Sequence, residues 1–311
     1  MIDFFYKWYS CTGHNRLLWN LKIDAINRHF CRICANIFMP LYYMATANSK
    51  KYSICGSNVN SGFIVTMTSF PPRIHRLWIV IESILHQTVR PEAIYLWLSK
   101  EQFPSLEGLP KRLLKLQARG VIICLRDEDL RSHKKYYYVI KEKPETDFVT
   151  VDDDILYPTN VLSDLVKFHE KNPKSIVGRY LTFNKISANY SIHRTEVQSE
   201  QIGQPSDNFF LGTGGGAYFP SGSLPSVCLD KTAFMSVCRN ADDVWLNVLA
   251  RYNNTPIILI QKECDLLTLI FKKDIALYKD NSYNGGNSVQ LQAVRDYCIK
   301  LGKDPLKALI K

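Results

Sequence analysis

Residues 148–158 read Phe-Val-Thr-Val-Asp-Asp-Asp-Ile-Leu-Tyr-Pro, an apolar β-branched run that ends abruptly in three consecutive carboxylates. Phe148–Val151 has the composition of a short buried strand, and the aspartates fall at its carboxyl end. Working outward, the upstream runs Phe63–Met67 (FIVTM), Ala93–Leu98 (AIYLWL) and Val121–Leu125 (VIICL) are of the same kind. Between them lie stretches of helical period: Ile74, Leu77, Trp78, Ile81, Ile84 and Leu85 after Pro71-Pro72, then Leu109–Ala118, then Tyr136–Lys143 ending at Pro144. Strand–helix alternation with short connections predicts an α/β chain whose mostly parallel central sheet is covered on both faces. Ligands of such sheets bind outside the carboxyl ends of the strands. Thr68-Ser69, Ser99, Asp127 and Asp152–Asp154 all fall there.

The second half is more mixed. Val161, Leu162, Leu165 and Val166 form a helix face after Pro158, Ser175–Val177 begins a short strand, and Ile257–Ile260 is another. Residues 184–223 are polar and glycine-rich and read as a substrate loop region. Asp242–Tyr252 and Ser288–Leu301 read as helices. With 311 residues, 46% hydrophobic and 22% charged, the chain can bury a large core and is neither disordered nor collagen-like. Nine cysteines spread over this length suit a reduced, cytoplasmic protein better than a disulfide scaffold. The first 30 residues show no cleavable signal peptide. The longest uncharged run, residues 33–49, contains Asn36, Pro40 and Asn48, so no transmembrane helix is expected.

The net charge is +10, and half of it sits in residues 1–60, where seven Lys/Arg face Asp3 and Asp24. Aromatics (Phe4, Phe5, Tyr6, Trp8, Tyr9, Trp19, Phe30, Phe38, Tyr42, Tyr43) are interleaved with these cations. Three readings are open: a helical pair packed on the main domain with a solvated basic face, a segment seated on an anionic membrane surface, or a single-stranded nucleic-acid platform. Cys11-x2-His14 and Cys31-x2-Cys34 have the spacing of a zinc ribbon. The glycine turns of a zinc knuckle are missing, and Leu17, Leu18, Leu21, Ile23 and Ile26 look like ordinary helix filling.

Three adjacent aspartates repel one another unless something positive is near. On an extended chain Asp152 and Asp154 share one face while Asp153 points away, and such a pair suits a hard cation, Mn2+ or Mg2+, that keeps positions open for phosphate oxygens. The competing reading, acidic residues at a helix start, explains one Asp at most, because Pro158 and Thr159 delay the next helix. A second cluster, Asp242-Asp243 before Val244-Trp245, lies at a helix start. One carboxylate there is an ordinary cap; the other is available as a general base. Between the clusters, Gly212-Thr213-Gly214-Gly215-Gly216 permits close backbone approach to a ligand. It carries neither the lysine of a P-loop nor a dinucleotide fingerprint.

Taken together, TSFPPRI at 68–74, SILHQTVRPEAIYLWLS at 83–99, TVDDDILYP at 150–158, GTGGGAYFP at 212–220 and ADDVWL at 241–246 resemble a glycosyltransferase of the GT-A fold, close to the bacterial family 2-like enzymes. The resemblance covers residues 60–260. It implies a nucleotide-sugar donor, a UDP-sugar foremost, a divalent cation, and inverting transfer to a hydroxyl of a glycan or lipid-linked acceptor in surface polysaccharide synthesis. It also implies residue roles. Asp152 and Asp154 would hold the metal, with Asp152 and Asp153 at the donor; Thr68, Ser69 and Arg73 would border the nucleotide. Asp127 and Lys134 would lie beside base and diphosphate, Gly214, Gly215 and Gly216 beside the donor sugar. Asp243 would be the catalytic base with Asp242 as the helix cap. No histidine follows His193, so Asp280, Asn284, Asn287 or water would complete the metal's coordination. The chain divides accordingly into a basic N-terminal extension (1–58), a Rossmann-like nucleotide-sugar-binding half (59–157) and an acceptor-binding, catalytic half (158–311). Its place is the cytoplasm, including the inner face of the membrane, with no nucleic-acid partner. Two other classes remain: a sugar nucleotidyltransferase, which would want a glycine-rich basic loop after the first strand, and a non-catalytic membrane- or polyanion-binding protein.

Overall fold

A computed structural model describes residues 1–12, 22–54, 61–271 and 286–310. Its centre is a seven-stranded sheet made of β1 (Phe63–Thr68), β2 (Ile94–Ser99), β3 (Val121–Arg126), β4 (Asp147–Thr150), β5 (Ile176–Gly178), β10 (Ala217–Phe219) and β11 (Ile257–Leu259). The spatial order is β11-β5-β10-β4-β1-β2-β3. Every neighbouring pair is parallel except the two made by β10, which runs antiparallel between β5 and β4. Four shorter strands, β6 (Leu181–Phe183), β7 (Lys185–Ile186), β8 (Ile192–His193) and β9 (Phe210–Leu211), form two antiparallel pairs, β6 with β9 and β7 with β8, outside the sheet.

The strands alternate between two cores, as period-2 geometry requires. Phe63, Val65, Met67, Ile94, Leu96, Val149, Val177 and Ile258 point into one. That face is covered by α1 (Ile2–Ser10), α2 (Ile23–Thr46), α3 (Pro71–Leu85), α4 (Lys111–Lys115) and α6 (Val161–Lys171). Ile64, Trp97, Phe148, Phe219, Ile257 and Leu259 point into the other, covered by α5 (Lys134–Glu142), α7 (Lys231–Val237), α8 (Asp242–Tyr252) and α9 (Gly286–Lys300). The result is a three-layer α/β/α arrangement, with the expected parallel sheet and helices on both sides.

Two local features differ from the sequence expectation. The glycine-rich stretch around Gly212–Pro220 contains a central strand, β10, paired Ala217↔Thr150 and Tyr218↔Val149. Three residues between Gly216 and Pro220 are too few to show a period. Its antiparallel direction matters, because it brings the turn before Ala217 to the carboxyl end of β4. The N-terminal extension is a helical pair packed on the sheet. Cys31, Ala35, Met39 and Tyr43, four residues apart on α2, are wholly buried, and Tyr6 donates to the Leu156 carbonyl at 2.6 Å. Pro40 inside α2 cannot donate to the Asn36 carbonyl; Arg76 Nη2 takes that acceptor at 3.3 Å. No helix among the described residues is long and apolar enough to cross a membrane. His14, one member of the zinc-like spacing, lies outside the described residues, as do Asp280 and Asn284.

Candidate active site

Strand β4 ends at Thr150, so the aspartate triplet lies beyond it, in a bend. Strict alternation therefore stops before the triplet, and the face shared by Asp152 and Asp154 in an extended chain is not what fixes their contacts. Asp153 and Asp154 turn together toward the β1–α3 connection. Arg73 reaches Asp153 Oδ1 at 2.6 Å and Asp154 Oδ2 at 3.0 Å, and the Ser69 hydroxyl donates to Asp153 Oδ2 at 2.6 Å. Pro71 and Pro72 at the first turn of α3 set the helix start that aims Arg73 back at the sheet.

Asp152 turns the other way, toward Lys135 in the first turn of α5. This ammonium, 3% exposed, lies 3.0 Å from Asp152 Oδ1 and 2.9 Å from Asp242 Oδ2. One buried lysine thus joins the triplet to the acidic pair that opens α8. Burial alone would depress its pKa, but Asp152 and Asp242 outweigh burial and keep it charged.

Asp242 does not cap its helix: α8 has no side-chain cap, and Asp242 faces inward onto Lys135 and the Thr213 hydroxyl, 3.1 Å away. Burial pushes its carboxyl upward, yet the Lys135 ammonium beside it holds it below the usual range. Asp243 accepts from the Thr213 backbone N–H at 2.9 Å and from the Thr213 hydroxyl. Burial, reinforced by the neighbouring Asp242 charge, pushes Asp243 up to about 7. Asp154 is likewise pushed up to about 7, by burial first, with Arg73 pulling against it and Asp153 and Asp152 adding to it.

The glycine turn closes the group. A Cβ on Gly214 would lie 1.7 Å from Asp152 Oδ2, so only glycine leaves room for that carboxylate. Gly216 has φ +100°, and a Cβ on Gly215 would lie 2.4 Å from Tyr180 Cβ. Tyr157 locks turn and triplet together: its hydroxyl accepts from the Asp152 N–H at 2.7 Å and donates to the Gly214 carbonyl at 2.5 Å. Thr150 Oγ1 adds a 2.8 Å bond to the Thr213 carbonyl.

The structure therefore brings together Ser69, Arg73, Asp152, Asp153, Asp154, Gly214, Asp242 and Asp243, drawn from four separate stretches. Thr68 donates to the Trp97 carbonyl at 2.8 Å and so ties β1 to β2. Asp127 sits at the exposed end of β3, 2.6 Å from Lys100. Lys134 is turned to Asp129, not to the triplet, and it is its neighbour Lys135 that reaches the carboxylates. Tyr157, Thr213 and Lys135 are the members sequence reasoning missed. For Lys135 a signal existed, since it precedes the buried Val139 by four residues and so shares its face. Asn287, in the first turn of α9, is buried.

Five carboxylates thus converge on two bonded cations, Arg73 and Lys135. Burial raises Asp153, Asp154 and Asp243, and the neighbouring carboxylates add to it. Among the described residues no group of three or more His, Cys, Asp or Glu is gathered as a ready metal cage. A cavity of about 290 Å³ lies elsewhere, beside His86 and Tyr52, and no site carboxylate lines it.

No protein-family model matches the sequence, and no curated protein matches it either. Solved structures similar in chain trace include three of related architecture. One is a mannosyltransferase from Pyrobaculum calidifontis in complex with GDP-Man and Mn2+, at 12% identity over 90% of this chain and 78% of that one, TM-score 0.46. Another is a 4-diphosphocytidyl-2C-methyl-D-erythritol synthase, at 11% identity over 73% and 98%, TM-score 0.40. The third is a UTP-bound UGPase from Acinetobacter baumannii, at 11% identity over 79% and 96%, TM-score 0.42. What this chain does has to be read from its own side chains.

Proposed function

We propose that the chain is a metal-dependent glycosyltransferase that moves a sugar from a nucleotide-sugar donor, a UDP-sugar foremost, to a hydroxyl of a glycan or lipid-linked acceptor in surface polysaccharide synthesis. The observation that carries this reading is the surplus of carboxylate at the carboxyl end of the sheet. Four of five clustered acidic side chains pair with two cations, and burial, with the neighbouring carboxylates adding to it, pushes Asp154 and Asp243 up to about 7.

A hard divalent cation suits these carboxylates once Asp152, which turns toward Lys135 here, and Asp154, which turns toward Arg73, face one ion. Asp152 and Asp154 offer carboxylate oxygens, their side chains are 42% and 23% exposed, and added positive charge would relieve the local excess. A bound Mn2+ or Mg2+ would supply the charge that offsets a leaving nucleoside diphosphate. The rest is done by the chain itself. Arg73 and Ser69 hold Asp153 as the fixed wall of the bend, and Tyr157 and Gly214 hold Asp152 in place. Asp243, positioned by Thr213, takes the proton of the acceptor hydroxyl. The acceptor oxygen forms its bond to the anomeric carbon from the face opposite the diphosphate. The bond from that carbon to the diphosphate oxygen breaks, its electron pair leaves with the diphosphate, and configuration is inverted. A pKa near 7 makes Asp243 a base at neutral pH that can also hold the proton it receives.

A thermal-shift screen of nucleoside diphosphates and nucleotide sugars with and without Mn2+ tests the reading, since a ligand that binds only the folded state raises its stability by mass action. A stabilisation that needs both nucleotide and Mn2+ is expected. Absence of stabilisation by every nucleotide would contradict it. Release of pyrophosphate from a nucleoside triphosphate with a sugar phosphate would instead identify a nucleotidyltransferase.

A further inference from the structure

Helix α2 carries two apolar faces. One, Cys31, Ala35, Met39 and Tyr43, is buried in the core. The other consists of Ile23, Ile26, Phe30, Ile37, Leu41 and Met44, all exposed. At about 100° per residue these six fall within an arc of about 60°, roughly opposite the buried stripe. Ile26, Phe30, Ile37 and Leu41 are 68%, 57%, 54% and 54% exposed. The face continues onto α1, where Phe4 meets Trp8 at 6.1 Å between ring centroids and Trp8 meets Phe30 at 5.8 Å. Scattered exposed apolar residues need no explanation, but a contiguous stripe along a 24-residue helix marks an interaction surface.

Charge identifies the occupant. Exposed Lys7 and Lys22 accompany the amino-terminal half of the stripe, and Lys50 and Lys51 follow its end. At Met44 the stripe meets Arg112, whose helix α4 also exposes Lys111 and Lys115. Apolar side chains edged by lysines and arginines, with Trp8 and Phe30 among them, match an anionic lipid surface: acyl chains for the stripe, phosphate headgroups for the cations. We propose that α2 lies in the plane of an anionic membrane surface with this stripe inserted.

The docked helix is joined to the active-site carboxylates through one stretch of chain. Arg32 donates to the Thr268 and Leu269 carbonyls at 3.1 and 3.0 Å, and Asn36 Oδ1 accepts from the Ile270 N–H at 2.8 Å. On its far side the same stretch donates from the Leu269 N–H to the Asp154 carbonyl at 2.7 Å, and Phe271 lies under Arg73 at 5.5 Å. The inference deepens the reading of a lipid-linked acceptor and rests on that reading for the acceptor only; docking itself requires neither donor nor transfer.

The test is flotation of the full chain with vesicles of phosphatidylcholine, with and without phosphatidylglycerol, at low and high salt, alongside light scattering of the free protein. Salt-sensitive flotation with the anionic vesicles is expected. The variant Ile26→Ser/Phe30→Ser/Ile37→Ser/Leu41→Ser, altered only at exposed positions, should lose about ten-fold or more in partitioning while keeping its circular dichroism and its nucleotide-dependent thermal shift. Lys111→Glu/Arg112→Glu/Lys115→Glu should weaken binding and flatten its salt dependence. The proposal is overturned if the parent ignores anionic vesicles, if the serine variant floats as well as the parent, or if the parent is a dimer that the serine substitutions dissociate. Docking without nucleotide binding would leave the membrane inference standing and sink the transferase.

Discussion

Replacing Lys135 with Met removes the charge that joins the two acidic clusters while keeping a stem of similar volume. In the parent the ammonium bonds Asp152 at 3.0 Å and Asp242 at 2.9 Å. The two partners respond differently to its loss. Asp152, 42% exposed at the side chain, rehydrates at small cost; Asp242, 9% exposed, cannot. Breaking a buried pair by removing one partner costs about 3–5 kcal/mol, and with one rehydrating partner the low end, about 3 kcal/mol, applies here. For a chain of this size, with an unfolding entropy of about 0.65 kcal/mol/K, that is a fall in Tm of about 5 °C at pH 8. The pH dependence carries the sign. In the parent, the depressed pKa of Asp242 gives stability that is present above the unfolded carboxylate pKa and lost as pH falls through the folded value. In the variant, burial without its counter-ion raises Asp242, so the penalty is present above that raised pKa and disappears as the carboxyl is protonated. The gap between variant and parent in differential scanning calorimetry should therefore narrow steadily from pH 8 to pH 5. Lys135→Met/Asp242→Asn should recover more than half of the loss at pH 8, since the orphaned charge is gone. An unchanged Tm, or a gap that is the same at both pH values, would refute the assignment of Lys135 as the electrostatic link.

Other substitutions probe the same arrangement. Gly214→Ala places a methyl 1.7 Å from Asp152 Oδ2, so the carboxylate must move; metal-dependent nucleotide affinity, read by calorimetric titration, should fall about ten-fold or more with Tm changed by only a few degrees. Asp154→Ala should abolish the Mn2+ dependence of nucleoside diphosphate binding, and retention of that dependence would remove Asp154 from the cation site. Asp243→Asn should leave donor binding intact and cut transfer at saturating donor by about 100-fold or more. Because the base must be ionised and Asp243 is pushed up to about 7, parental transfer should fall as pH drops below neutrality, and that acid limb should be missing from the residual activity of Asp243→Asn.

Much of this arrangement was legible from the order of residue types. The strands β1, β2 and β3 carry apolar runs of five or six residues, and their limits match the expectation to within a residue. The acidic triplet announced a strand's carboxyl end, and Asp242-Asp243 the start of α8. What escaped depended on phase and direction. Whether Lys134 or Lys135 faces the carboxylates is decided by about 100° of helix rotation, and it is Lys135 that reaches them. The fate of Asp242 turned on a lysine 107 positions away in sequence, which a local capping rule cannot see. The insertion of β10 between β4 and β5 is likewise long-range, since its three residues pair with strands about 40 and 70 positions upstream. Of the three readings of the N-terminal extension, the packed helical pair is the one the structure shows, and the membrane reading rests on the apolar, cation-edged face that the pair leaves outward.

The measurement that bears most directly on the account is phosphorus NMR of the full chain incubated with Mn2+, a panel of UDP-sugars and a short-chain lipid or glycan acceptor. Transfer at an intact sugar–diphosphate bond predicts growth of free UDP resonances, dependent on Mn2+ and lost in Asp243→Asn. Donor resonances that persist unchanged across the panel, or growth of pyrophosphate when UTP and sugar phosphates are supplied instead, would contradict it.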